Sequence, residues 1–398
     1  MEPNDVPTGF RFAGLAGGIK KSGKLDLGLI FSEHPANCAG VFTRNRVIAA
    51  PLLVTRPKIA AGTCQAVLVN SGNANACTGQ DGLQAAQETA RLLAAELAIN
   101  EQLVAVSSTG VIGAQLPLEP FRKGIPRLVA QLSKLHAADV AEAMRTTDAF
   151  PKIAASRVTT AQGQEYRILG LAKGAGMIHP NMATMLAFVM TDARIGQDLL
   201  TTALQSAVSK TFNSITVDGD TSTNDMVLLL ANGAAGDEQI LAGSPAEVEF
   251  RRQLEGVLLD LARMIVRDGE GATKLVEIKV VGAENEDSAR TVARSVATSA
   301  LVKTAFFGED ANWGRIIAAV GYAGVDVDPE RIDIFFDQVP VARNGLSTGR
   351  ELEVEATEVL KRDEFTVLID LHRGSAVWSY YTSDLGYEYV KINAAYRT

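Results

Sequence analysis

Short apolar runs alternate along this chain with stretches in which apolar residues return every three or four positions. Residues 64–70 and 103–107 are apolar and short, as buried strands are. Between them Leu83, Ala86, Ala90, Leu93 and Leu97 recur at helical spacing, which predicts a helix over 83–97. Leu200, Ala203, Leu204, Ala207, Val208 and Phe212 mark a second helix. Ser244-Pro245-Ala246-Glu247 is a capping box with proline at the first helical position, and it predicts a long helix through 248–266. Downstream the pattern predicts a strand over 275–281 and helices near 289–300 and 312–320. Strands are expected at 332–336, 365–371, 376–382 and 387–392. Such alternation points to a mixed α/β protein with layered sheets. No repeat of 20–50 residues stands out, which argues against a solenoid or propeller. The loop near 233–243 is the expected boundary after the first half.

Composition narrows the class. The chain has 398 residues, 47% of them hydrophobic and 21% charged, so it has enough apolar sequence for a sizeable core. A net charge of −8 argues against a nucleic-acid partner. No apolar run reaches the ~18 residues of a membrane span, and the start lacks the basic and apolar regions of a signal peptide. Cys38, Cys64 and Cys77 form no CxxC pair and read as reduced thiols of a cytoplasmic protein. Four scattered histidines without a cysteine partner argue against structural zinc.

Several common signatures are missing: GxSxG, HExxH, and GxGxxG after a strand. Gly18-Ile19-Lys20-Lys21-Ser22-Gly23-Lys24-Leu25 fits a phosphate-binding loop until Leu25 replaces the Ser or Thr that would hold Mg²⁺. The alternative is a basic turn before a strand over 26–31. Asp218-Gly219-Asp220-Thr221-Ser222-Thr223-Asn224-Asp225 resembles an acidic metal loop, but Thr223 occupies the position where calcium loops need glycine. Its side chains suit turn and cap hydrogen bonds better.

The informative segment is Lys173-Gly174-Ala175-Gly176-Met177-Ile178-His179-Pro180-Asn181-Met182-Ala183-Thr184-Met185-Leu186. A kinked, glycine-rich loop delivers the chain to Thr184, and an apolar strand over 185–190 follows. If the bond before Thr184 were cut, that residue would carry both a hydroxyl and a free α-amine. An α-amine titrates near ~7.7–8.0, so one residue would supply nucleophile and base. The same residues also read as a glycine turn before a strand-start threonine. Ser107-Ser108-Thr109-Gly110-Val111-Ile112-Gly113 follows a predicted strand. A Thr hydroxyl beside a Gly amide can offer two donors to an oxyanion, or simply end the strand in a turn.

Lys173 to Leu186, Ser108 to Gly113, and Asn70-Ser71-Gly72-Asn73-Ala74-Asn75-Ala76-Cys77-Thr78-Gly79 together resemble the ArgJ family, the ornithine acetyltransferases (glutamate N-acetyltransferases) of arginine biosynthesis. Thr146-Thr147-Asp148, the 218–225 loop, Asp268 to Lys274, Gly308 to Arg315 and the C-terminal Tyr389 to Thr398 match in the same order. The resemblance implies a layered α/β sandwich and a self-processing N-terminal-nucleophile enzyme. It implies cleavage between Ala183 and Thr184, leaving an α chain (1–183) and a β chain (184–398) that pair as an α₂β₂ assembly. Thr184 would take the acetyl group from N2-acetyl-L-ornithine and pass it to L-glutamate by ping-pong chemistry. Thr109 and Gly110 would form the oxyanion hole. Lys173 would meet a substrate carboxylate and Glu270 a substrate ammonium, with Thr147, Thr184, Asn393 and Thr398 completing the substrate site. Adjacent Thr146 leaves the register of Thr147 open. His179 would pack in the cleavage loop. No metal or cofactor is implied; acetyl-CoA would be a substrate only in a bifunctional member. The competing readings are a self-processing amidohydrolase, which would not need glutamate, and an uncut nucleotide-binding protein built on Lys20 to Lys24.

Overall fold

A computed structural model describes residues 5–160, 163–179 and 185–395. The first sheet contains β1 (Phe10–Leu15), β2 (Leu27–Phe42), β3 (Thr63–Asn73), β4 (Val104–Val111), β5 (Lys152–Thr159), β6 (Glu165–Lys173) and β7 (Leu186–Thr191). After two-residue strands β8 (Arg194–Ile195) and β9 (Ile215–Thr216), it gains β10 (Met226–Ala231). The order is β4-β3-β2-β10-β7-β6-β5, with β1 also on β2. A short β11 (Gln239–Ile240) pairs with β8. The second sheet, ordered β15-β14-β13-β16-β12-β17-β9, comprises β12 (Leu275–Ala283), β13 (Asp333–Phe336), β14 (Val339–Arg343), β15 (Leu346–Ser347), β16 (Glu364–Asp370) and β17 (Ala376–Ser383), with β9 at its edge.

Helices cover both sheets. On the first, α1 (Ala50–Ala60), α2 (Gly79–Leu97) and α3 (Glu119–Ala130) pack with Leu29, Leu68 and Val106. Next, α4 (Ala137–Met144) shares a core with Val67, Phe188 and Leu228, while α5 (Gln197–Lys210) and α6 (Pro245–Arg267) share another with Val189, Val227 and Leu229. On the second sheet lie α7 (Glu286–Thr298), α8 (Ala300–Phe307), α9 (Trp313–Gly321) and α10 (Arg350–Leu360). The last described element is α11 (Tyr387–Ala395). This is a layered α/β sandwich, as expected.

The odd and even residues of β7 and β10 enter different cores, so every residue of both strands is buried. That is why they read as unbroken apolar runs without alternation. Both strands lie after residue 184, yet they sit inside the first sheet between β2 and β6. β2 is bent: its register with β3 shifts between Phe31 and Ala36, and residues beyond Ala36 pair with β10. Asn224, two residues before β10, donates from Nδ2 to the carbonyl of Ser108 near the end of β4 at 2.8 Å.

Three expectations are corrected. The 233–243 loop is no boundary, because α6 after it packs back on β5 and β6; the second sheet starts at β12. Residues 387–392, expected as a strand, belong to α11. As a helix the segment sets Tyr389 and Asn393, four residues apart, on one face against the cavity, and that tertiary contact outweighs the β propensity of Tyr387, Val390 and Ile392. The predicted helix over 289–300 also breaks at Ser299, which caps α8 by accepting the Val302 amide at 3.4 Å. The Ser244 cap before α6 forms as expected, while Glu247 bonds one residue further back than a capping box requires. Ser244 Oγ accepts the Glu247 amide at 3.2 Å, and Glu247 reaches back to the Gly243 amide at 2.5 Å.

Candidate active site

A cavity of about 240 Å³ collects the expected residues that the structure describes. Thr109 and Gly110 come from the end of β4, Thr147 from the turn after α4, Lys173 from the end of β6, Glu270 from the loop after α6 and Asn393 from α11. Met185, directly after the expected nucleophile, also lines it. Ala183, Thr184 and Thr398 lie outside the described residues.

Gly110 has φ +131°, and a Cβ there would fall 2.5 Å from the Gly72 carbonyl carbon on β3. Only glycine lets β4 run so close to β3 in this conformation. The turn is braced on both sides. Ser108 Oγ donates to Asn70 Oδ1 at 2.6 Å, and Asn224 Nδ2 reaches both the Ser108 and Ala74 carbonyls.

Lys173 Nζ donates to Thr146 Oγ1 at 2.8 Å and lies 3.4 Å from Thr109 Oγ1. Its counter-ion is Asp148, 4.0 Å away. Asp148 also accepts the Gly174 amide at 2.6 Å, the Thr146 amide at 2.9 Å and the Lys152 ammonium at 2.8 Å. Lys152 is fully buried and bridges to Asp268 at 2.5 Å. Burial opposes the charge on Asp148, but the ammoniums of Lys173 and Lys152 outweigh it and hold the carboxyl well below the usual range. Asp225 shows the opposite balance. It is buried beside the cavity, burial pushes its carboxyl well above the ordinary value, and Oδ2 has no hydrogen-bond partner among the described residues.

Across the cavity Glu270 sits over Gly176, where a Cβ would come within 2.4 Å of the carboxylate. Its backbone amide donates to the Ala175 carbonyl at 2.9 Å, and Asn393 Nδ2 donates to Oε2 at 2.9 Å. Gly271 lies against the Tyr389 backbone, which brings α11 to the cavity wall. The glycine-rich loop is tied down by Asp218, which accepts the Met177 and Ile178 amides at 2.6 and 2.8 Å. Met177 adopts φ +57° there. His179 does not line the cavity; its Nδ1 is 3.3 Å from Thr216 Oγ1, and burial lowers its pKa.

The two rival loops have other uses. In the 18–25 loop the amides of Gly18, Ile19 and Lys20, together with that of Gly17, all meet the Asp26 carboxylate. A side chain thus fills the nest a phosphate would need. The 218–225 loop spends Asp218 on backbone amides, as the turn reading requires. Among the described residues no cluster of three His, Cys, Asp or Glu could hold a metal ion, and no helix is long and apolar enough to cross a membrane.

Sequence reasoning missed roles for Asn224, Asp225, Lys152 and Tyr389, and it stopped short of the Lys173–Thr146 hydrogen bond. Thr146 and Thr147 both line the cavity, so the doubt over register reflects two neighbours in one site. Lys152, four residues after Asp148, was the available signal for a buried ion pair.

The model of the ArgJ family matches residues 11–398. The arginine biosynthesis bifunctional protein ArgJ of Syntrophotalea carbinolica is 64% identical over 390 residues, 98% of this chain and 99% of the relative. The protein of the same name from Geobacter sulfurreducens is 54% identical over 390 residues, again 98% of this chain and 99% of the relative. A crystal structure of arginine biosynthesis bifunctional protein argJ from Bacillus halodurans aligns with TM-score 0.51 and 47% identity, covering 52% of this chain and 98% of that one. With its motifs gathered around one cavity and near full-length similarity to such relatives, this chain belongs to the ArgJ family.

Proposed function

We propose that the protein transfers the acetyl group of N2-acetyl-L-ornithine to L-glutamate in arginine biosynthesis and, as a bifunctional member, also makes N-acetylglutamate from acetyl-CoA. The observation that carries this is the convergence of Thr109, Gly110, Thr147, Lys173, Glu270 and Asn393 on one small cavity that Met185 enters. An ammonium and a carboxylate on its walls suit a substrate with both charges, as N2-acetyl-L-ornithine has in its α-carboxylate and its side-chain ammonium.

The precursor cuts itself between Ala183 and Thr184. Thr184 Oγ attacks the Ala183 carbonyl carbon, and the C–N bond breaks as the nitrogen takes the hydroxyl proton. The resulting ester is then hydrolysed by water. The α-amine of Thr184 next serves as base while Oγ takes the acetyl group, with Thr109 and Gly110 facing the oxyanion. Lys173 holds the substrate carboxylate and Glu270 its ammonium, with Thr147, Asn393 and Thr398 completing the site. Ornithine leaves, glutamate enters and takes the acetyl group. The α chain (1–183) and β chain (184–398) stay together because β7 and β10 hydrogen-bond to β6 and β2 across the cut. A relative whose whole chain matches only about half of this one supports processing into two pieces. The assembly is α₂β₂ and works in the cytoplasm.

Intact-mass measurement with N-terminal sequencing tests the reading. The expected result is two chains, the second beginning Thr184-Met185-Leu186, with Thr184→Ala leaving one inactive chain of 42.2 kDa. An uncut wild-type chain, or turnover by Thr184→Ala, overturns it. Steady acetyl release without glutamate would identify an amidohydrolase instead.

A further inference from the structure

We propose that Lys173 is a positioning residue that acts on the acetyl-transfer step through the Thr109 hydroxyl, in addition to meeting substrate. The inference rests on the oxyanion reading of Thr109 given above. Lys173 Nζ lies 3.4 Å from Thr109 Oγ1 and 2.8 Å from Thr146 Oγ1. An ammonium has three protons and no lone pair. Thr109 Oγ can therefore only accept from Lys173, and its own proton is not used in that contact. The proton stays free for an oxygen inside the cavity that Thr109 lines. A hydroxyl that accepts from a cation is also polarised, which makes it a stronger donor.

The ammonium is held for this task. Lys173 is only 9% exposed and ends β6, so backbone pairing sets its position. Thr146 takes one proton. Asp148 faces the ammonium at 4.0 Å and is itself locked by Lys152 and two backbone amides. Among the described residues that leaves one N–H of Lys173 for a substrate carboxylate, so both roles fit one side chain.

During acetylation Thr184 Oγ bonds to the acetyl carbon and its proton passes to the α-amine. The carbonyl electron pair moves onto oxygen, where the Thr109 proton meets it. Collapse of the intermediate re-forms the carbonyl and breaks the C–N bond, with the Thr184 α-ammonium returning its proton to the departing ornithine amine.

The test uses p-nitrophenyl acetate, an acetyl donor with neither carboxylate nor ammonium, on the mature protein. The burst of p-nitrophenolate counts cleaved sites by its amplitude and reads acetylation by its rate constant. Lys173→Met is expected to slow that rate constant roughly tenfold, with Lys173→Arg recovering part of the loss. Thr109→Ala alone should slow it by a factor on the order of 10²–10³, and adding Lys173→Met to it should cost less than about twofold more. If Thr109→Ala does not mature, the Met and Arg variants at 173 decide the matter. A Lys173→Met burst within twofold of wild type, with KM for N-acetylornithine raised, would leave Lys173 a substrate contact only and overturn the inference. A wild-type burst that survives Thr184→Ala would instead overturn the nucleophile reading beneath it.

Discussion

Gly176 offers a direct test of the substrate role given to Glu270. The Gly176 backbone does not lie in the left-handed region, so alanine brings no backbone strain there. Its Cβ would, however, fall 2.4 Å from the carboxyl carbon and Oε2 and 2.5 Å from Oε1 of Glu270. The end of a flexible side chain must therefore retreat by about 1 Å to reach van der Waals contact. Retreat breaks the 2.9 Å hydrogen bond from Asn393 and moves the carboxylate away from the ammonium it would bind. A hydrogen bond to a charged group contributes about 1.5–3 kcal/mol, which corresponds to roughly 10–150-fold in affinity. Gly176→Ala should therefore raise KM for N-acetylornithine at least about tenfold, with a smaller change in kcat and little loss of thermal stability. Steady-state kinetics with N-acetylornithine and glutamate, beside a melting curve, measure all three. A KM within twofold of wild type would remove Glu270 from the ammonium site, since the one side chain Gly176 displaces would then not matter to binding.

Two further outcomes follow from the same geometry. Gly110→Ala places a Cβ 2.5–2.6 Å from the β3 backbone at φ +131°, where neither partner can yield, so the urea midpoint should drop by the equivalent of about 3 kcal/mol. An unchanged midpoint would refute the close approach of β3 and β4. Lys303 on α8 is fully buried, its ammonium donating to Thr382 Oγ1 at 2.8 Å and to Ser383. Burial pushes its pKa down from 10.5 to about 7, against the pull of Asp384 and Asp218. Below about 7 it is protonated in both folded and unfolded chains and the burial penalty is complete; between about 7 and 10.5 only the unfolded chain keeps the proton. Stability should therefore rise with pH in that window, by up to about 1.4 kcal/mol per pH unit relative to Lys303→Met. Parallel stability curves for the two proteins from pH 7 to 10 would refute it.

Local signals were legible where one residue type does one job. The Ser244 box foretold α6, and helical spacing foretold α2, because both patterns repeat within a few residues. Thr109 and Gly110 stood out because a Thr hydroxyl beside a Gly amide is a distinctive pair of donors, whereas Lys173 and Glu270 were legible only through the resemblance to the ArgJ family. The phosphate-loop reading could not be settled in one dimension. Asp26 directly follows Leu25, but only the folded turn shows its carboxylate inside the glycine nest. The strand expected at 387–392 failed for a related reason: propensity does not register that Tyr389 and Asn393 meet the cavity wall from one face of a helix.

By itself, then, the sequence determined the class of the chain, most of its longer helices and strands, and the family its motifs match. It did so because periodicity, caps and glycine turns act over short distances. Only the tertiary structure decided the rest. It placed β7 and β10 inside a sheet begun before residue 184, carried β2 from its pairing with β3 on to β10, and set α11 against Glu270. It also brought the Lys173 ammonium to Thr146, Thr109 and Asp148, residues 25 to 64 positions away in the chain. Contacts of that range depend on how whole layers bury their apolar faces, and no local pattern carries that information.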